Sequence, residues 1–233
     1  MLDSPLPYRY PAIHWRIRLR LTEACGISRT MTFPSRFIPL ALLAICAAGL
    51  AMLILRYRLN YGRSPVRLFR SGRTAQSIRE AQVIGLGALL LWQALAEAFG
   101  LYRLLGDGLF AALPATGALV FLLGELLVAA GITNMGGAWQ MGFDQRTRPA
   151  GLITTGPFRL SRNPIYLGMV IALMGWMLLI PTLLSLIIVV GTAVGVRRQA
   201  IEEEQYISRI YGPEFSAWAQ EVGRFVPWIG RAR

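Results

Sequence analysis

Residues 167–196, LGMVIALMGWMLLIPTLLSLIIVVGTAVGV, run for thirty positions without a charged side chain. One straight helix of that length would measure about 45 Å, against a bilayer core of about 30 Å. Two full-depth spans would need about 40 residues. Pro181 stands in the middle of the run, where a helix breaks or kinks. The run therefore reads as a helical hairpin of two short helices that turns near Pro181–Thr182. Both of its ends then return to the same membrane face.

Working toward the N-terminus, three more spans are predicted. The first is Phe37–Leu55, 19 uncharged residues, long enough to cross a bilayer and longer than the usual apolar stretch of a signal peptide. The second is roughly Ala81–Tyr102 and holds Gln82, Gln93 and Glu97; the third is roughly Leu109–Thr133 and holds Glu125. Carboxylates inside apolar helices face a bundle interior or a cavity. Glu97 and Glu125 are expected in structural roles, with a substrate cavity as the alternative. Toward the C-terminus, residues 197–228 are polar and Glu-rich. They read as a helix leaving the membrane, a turn at Gly212–Pro213 and an amphipathic helix in the interface. The expected fold is an all-α integral membrane protein with about five transmembrane helices and an interfacial C-terminal helix. Residues 31–133 would hold three spans, and residues 134–233 the region that bears the chemistry. Residues 1–30 are Arg-rich, broken by prolines, and expected to be a non-native or disordered arm ahead of Met31.

The chain has 233 residues, 55% hydrophobic and 15% charged, with a formal net charge of +12. All 24 basic residues are Arg. Such an excess invites a nucleic-acid reading, but the arginines flank apolar spans, where they set orientation and meet anionic headgroups. The partner expected from them is the lipid bilayer, and no nucleic acid. Seven arginines follow the first span and Arg146, Arg148, Arg159 and Arg162 follow the third, whereas the second is followed by Arg103 and Asp107. Both basic segments are thus expected in the cytoplasm, with the N-terminus outside and the C-terminus inside, in a bacterial inner membrane. Cys25, Cys46 and His14 form no metal-ligand spacing, and no metal is expected.

Two polar segments flank the hairpin. The first, residues 156–166, supplies backbone amides, the amide of Asn163, the phenol of Tyr166 and the guanidiniums of Arg159 and Arg162. The second places Glu202, Glu203 and Glu204 after Arg197 and Arg198. Brought together at membrane level, they suit a zwitterionic ligand with an aromatic part. The bland alternative is a solvated acidic helix face and arginine headgroup anchors.

The pattern resembles the isoprenylcysteine carboxyl methyltransferase and phospholipid methyltransferase superfamily. The elements that carry the resemblance are GPFRLSRNPIYLG at 156–168, EEQY at 203–206, YG at 211–212 and GRFVPWI at 223–229, in the family's order and spacing. The resemblance covers residues ~134–228 and reaches residues 1–130 by hydropathy alone. It implies S-adenosyl-L-methionine as cofactor in a cytoplasmic pocket. Gly151, Leu152, Ile153, Phe158, Asn163, Pro164, Tyr166 and Glu203 would line that pocket, with Glu204 completing the acidic pair. It also implies a lipophilic or small methyl acceptor: an isoprenylcysteine-type carboxylate, a phospholipid amine or a thiol, with Arg198 nearest to it. The family often has His where this chain has Asn163, and an Arg in prenylcysteine enzymes where it has Gln199. Asn cannot titrate near neutral pH, so that position moves no proton. An activated methyl group asks for alignment and exclusion of water rather than acid–base help, and no general base is nominated. Two other classes fit the span pattern: a sterol-reductase-like enzyme, and a non-catalytic membrane protein that retains the fold.

Overall fold

The computed structural model describes residues 35–69, 74–101, 112–141, 151–227 and 229–230. The expected N-terminal arm and Arg146 and Arg148 lie outside the described residues. Those described are helical apart from turns, extended connections and one isolated parallel bridge between Val66 and Met141. The helices are α1 (Ile38–Tyr61), α2 (Thr74–Ala98), α3 (Pro114–Met135), α4 (Pro164–Leu179), α5 (Leu183–Tyr211) and α6 (Pro213–Glu221). Four stretches are long and apolar enough to cross a membrane, and α4 is a shorter apolar helix of 16 residues. The all-α membrane class therefore stands, with four full-length candidate spans plus one short apolar helix among the described residues.

Local chemistry explains most boundaries. Helix α1 continues past its apolar run through Arg56 and Arg58 and stops at Gly62, whose φ of 64° is a left-handed cap. Helices α3, α4 and α6 each begin with a proline in the first turn, where its missing N–H has no helical partner to lose. The hairpin turn occupies Ile180–Thr182, with Pro181 between the arms as the uncharged run predicts. Thr182 caps α5 by accepting a hydrogen bond from the backbone N–H of Ser185 at 3.1 Å. The second arm is not short. It runs 29 residues to Tyr211, because no Gly or Pro interrupts the chain from Val196 until Gly212–Pro213. The hairpin's second arm and the helix expected to leave the membrane are one rod.

The tightest packing joins α3 to α4. Gly117, Gly124 and Gly131 recur every seven residues on α3, as do Gly168 and Gly175 on α4. A Cβ on Gly124 would lie 2.4 Å from the backbone N of Ala172, and one on Gly175 would lie 2.3 Å from the backbone N of Phe121. The two backbones touch, which is how helices gain dispersion energy in a solvent as apolar as their own side chains. Phe121, Ala172, Trp176, Leu179 and Ile180 extend this seam into a core shared with Leu42 of α1 and Ala94 of α2.

A buried polar knot closes the hairpin end of the bundle. Gln93 of α2 accepts from the indole N–H of Trp176 at 3.0 Å and donates to Ser185 at 2.9 Å and Thr182 at 3.2 Å. Its side-chain amide is thereby satisfied on both its oxygen and its nitrogen. Of the carboxylates expected in the spans, Glu97 is buried, and Glu125 accepts a hydrogen bond from the Cys46 thiol at 3.1 Å, across α1 and α3.

The opposite end gathers the polar segments. Met141 and the chain around Pro65–Arg67 exchange backbone hydrogen bonds of 2.9 Å, and Arg63 donates to the carbonyl of Gly137 at 3.0 Å. Arg79, at the start of α2, pairs with Glu202 of α5 at 3.2 Å. The segments after α1 and after α3 thus lie at one end of the bundle, together with the start of α4 and the polar half of α5.

Candidate functional site

The start of α4 is built by the turn before it. Residues 156–159 form one 3-10 turn, entered through Gly156 at φ 56°, where a Cβ would meet the side-chain amide of Asn134 at 2.6 Å. Phe158 in this turn is buried. Asn163 occupies the N-cap position ahead of Pro164, yet its side chain caps nothing. It donates instead to Glu204 at 2.8 Å and to the backbone carbonyl of Arg224 at 3.2 Å.

Beside it, Arg162 is 6% exposed and uses all five of its N–H groups. The Nε and one Nη2 hydrogen hold the two oxygens of Glu204 at 3.2 and 3.0 Å. The Nη1 pair donates to the carbonyls of Ala219 and Val222, both at 2.8 Å, and the second Nη2 hydrogen to Gly230 at 3.1 Å. Arg224 adds a second cation to Glu204 at 3.1 Å. The backbone N–H groups of Arg162 and Asn163 donate to the carbonyls of Gly223 and Arg224 at 3.0 and 3.1 Å. Residues 222–224 and Gly230 are thereby fastened along residues 161–163. A buried carboxylate with two guanidiniums and an amide has its charge met on every side, which is the condition under which such burial is tolerated.

One residue earlier on α5, Glu203 has a different company. Its Oε1 accepts from the Tyr166 hydroxyl at 2.6 Å and from the Gln199 side-chain amide at 2.7 Å. Both donors are neutral and both converge on one oxygen. The amide orientation of Gln199 is dictated by this bond, since the flipped form would set two oxygens against each other. Its own Oε1 is buried with no hydrogen-bond partner among the described residues. A buried acceptor without a donor is costly and calls for a ligand or water that donates.

The structure thus brings together Asn163 with Glu204 and Tyr166 with Glu203. Pro164 and Phe158 are buried around them, Leu152 and Ile153 are half-buried on the approach to the turn, and Gly151 is exposed with open space at its Cβ. Arg198 is exposed on α5 and pairs with none of these residues at hydrogen-bond distance. Reading the sequence singled out Gln199 for its type, not for its bond to Glu203, and left Arg224 aside. A residue spacing of four on a helix was a signal for the first; the second is 20 residues from its partner Glu204, and no periodicity connects them.

Residues 113–214 match the family model of the phospholipid methyltransferases. The match covers 102 of the 233 residues. The family region of this membrane protein begins at α3, earlier than the resemblance near residue 134, and ends just inside α6. It therefore includes the glycine seam, the hairpin and both members of the acidic pair. No curated protein matches the chain.

Proposed function

We propose that the protein is an S-adenosyl-L-methionine-dependent methyltransferase that acts on a lipophilic or small acceptor drawn from the bilayer. The observation that supports this reading most is the chain Tyr166–Glu203–Gln199, with bonds of 2.6 and 2.7 Å. It unites the two polar segments that flank the hairpin and leaves an acceptor atom of Gln199 buried without a donor. A carboxylate and an amide oxygen suit the ammonium and amine hydrogens of the cofactor, so the residues present fit the group. Gly151, Leu152, Ile153, Phe158, Asn163, Pro164, Tyr166 and Glu203 form the pocket in this reading. Glu204 braces it from behind, and Arg198 at the surface meets the acceptor or its headgroup.

When bound, the cofactor supplies a methyl group already activated for transfer. The protein's tasks are to hold, align and keep water out. Glu203 anchors by charge, Tyr166 orients Glu203, and Phe158 with Pro164 excludes water from one wall. In this reading the polar end of the bundle faces the cytoplasm and the N-terminus lies outside, in a bacterial inner membrane.

Isothermal titration of S-adenosyl-L-methionine into the detergent-solubilised protein tests the proposal. Affinity in the micromolar class and its weakening by Glu203→Gln are expected. Unchanged affinity in that variant removes Glu203 from the site, and no binding at all refutes the reading.

A further inference from the structure

Arg162 is buried, spends every donor on protein acceptors, and has none left for a ligand. Its partners come from three places: Glu204 on α5, the carbonyls of Ala219 and Val222 at the end of α6, and Gly230 in the tail. Successive residues on a helix point about 100° apart. Once Glu204 is captured by Arg162, α5 cannot roll about its axis, and the direction of Glu203 is set. That direction is toward Tyr166, which stands three residues beyond Asn163 on the adjoining helix start. The two bonds, Asn163 to Glu204 and Tyr166 to Glu203, therefore share one geometric cause.

We infer that Arg162 is a positioning residue: its five-donor clasp on Glu204 and the C-terminal segment fixes the rotation of α5 that presents Glu203 to Tyr166 and to the pocket. This rests on the proposed pocket for its consequence, but not for its geometry. A lysine in its place keeps the charge and loses the planar fork, so it cannot grip both oxygens of Glu204 and three carbonyls at once. The rotation of α5 then loosens, whereas α3 and α4 still touch along the glycine seam, in which α5 takes no part.

Two measurements test this on the full-length protein. In a background where Cys25 and Cys46 are replaced by Ser, Tyr166→Cys and Glu203→Cys are joined by a short bismaleimide. With Arg162 present, rapid crosslinking is expected, although the Tyr166–Glu203 bond itself is gone. Adding Arg162→Lys should slow it at least about fivefold, with helical content by circular dichroism unchanged, as expected when a supporting contact is lost. Equal rates overturn the inference. If Arg162→Lys does not fold, Glu204→Gln, which keeps shape and one acceptor for Asn163, takes its place under the same criterion.

In the protein with Tyr166 and Glu203 intact, Arg162→Lys is expected to weaken S-adenosyl-L-methionine binding roughly ten- to a hundredfold, and Arg209→Lys, on an exposed side chain of α5, to leave it unchanged. Slower crosslinking with unaltered affinity overturns the role in the pocket. Absence of binding in the parent protein refutes the proposed function, while the crosslinking rates still decide the positioning role.

Discussion

Glu203 and Glu204 are neighbours in sequence and face unlike surroundings: Glu203 rests on the neutral donors of Tyr166 and Gln199, whereas Glu204 is clasped by Arg162, Arg224 and Asn163. The pair divides the work of the site between them. One carboxylate holds the architecture, and in the proposed reading the other is presented to the pocket.

That division gives unequal consequences for stability. Glu204→Ala leaves the Arg162 guanidinium buried without its counter-charge, an arrangement that costs about 3–5 kcal/mol in buried pairs. Glu203→Gln removes a charge but keeps a hydrogen-bonding side chain, and should cost under about 1 kcal/mol. Thermal unfolding in detergent should lower the midpoint strongly for the first and little for the second. Equal shifts would contradict the division.

The glycine seam should be intolerant of a single methyl group. A Cβ on Gly124 would stand 2.4 Å from the Ala172 backbone, which has no flexible side chain to yield. Gly124→Ala should destabilise by about 1–3 kcal/mol through overpacking. Gly191 on the outer face of α5 has nothing within 4 Å of its Cβ position. Gly191→Ala should be neutral, or stabilise by up to about 1 kcal/mol through helix propensity. Unfolding of both variants in one detergent makes the comparison, and equal effects would place the helix contact elsewhere.

Gln93 should act as a clamp on the hairpin. Its amide bonds Trp176, Thr182 and Ser185 inside the bundle. Gln93→Leu is expected to cost about 1–2 kcal/mol, in line with interhelical hydrogen bonds in membranes. The polar end, where the proposed site lies, is at the other end of the bundle, so cofactor affinity should stay within about twofold, the spread expected for sites without shared partners. A titration and a melt on the same preparation check both halves.

The segment after α1 and the C-terminus should share a membrane side. The bridge of Val66 with Met141 and the pairing of Arg79 with Glu202 place these segments at one end of the bundle. In the proposed topology their arginines put that side in the cytoplasm. Reporters inserted after Ser64 and fused at Arg233 should both give cytoplasmic signals. A split result would contradict the shared end itself.

Much of the fold was legible in local chemistry. An uncharged thirty-residue run with Pro181 at its centre can satisfy its backbone in lipid only as two helices, and the turn falls at Ile180–Thr182. The Arg-rich segments announced which ends lie together. The hairpin already returned the segments 156–168 and 203–206 to one face, but which side chains pair across them was not legible, because no local rule brings residues 37 positions apart, such as Tyr166 and Glu203, to hydrogen-bond distance.

What the sequence determined by itself is the set of apolar segments and the break between the hairpin's arms, since both follow from transfer energies and backbone satisfaction that each segment meets alone. What only the tertiary structure decided is the direction of each polar side chain. Three consecutive glutamates are equivalent as a string, but α5 turns them about 100° apart, and Arg79, Tyr166 and Arg162 each meet a different one. Likewise Asn163 carries the sequence of a helix cap and is drawn from that duty by Glu204. A long-range charge outweighed a local hydrogen bond there, and the strength of that pull depends on burial, which exists only once the helices have packed.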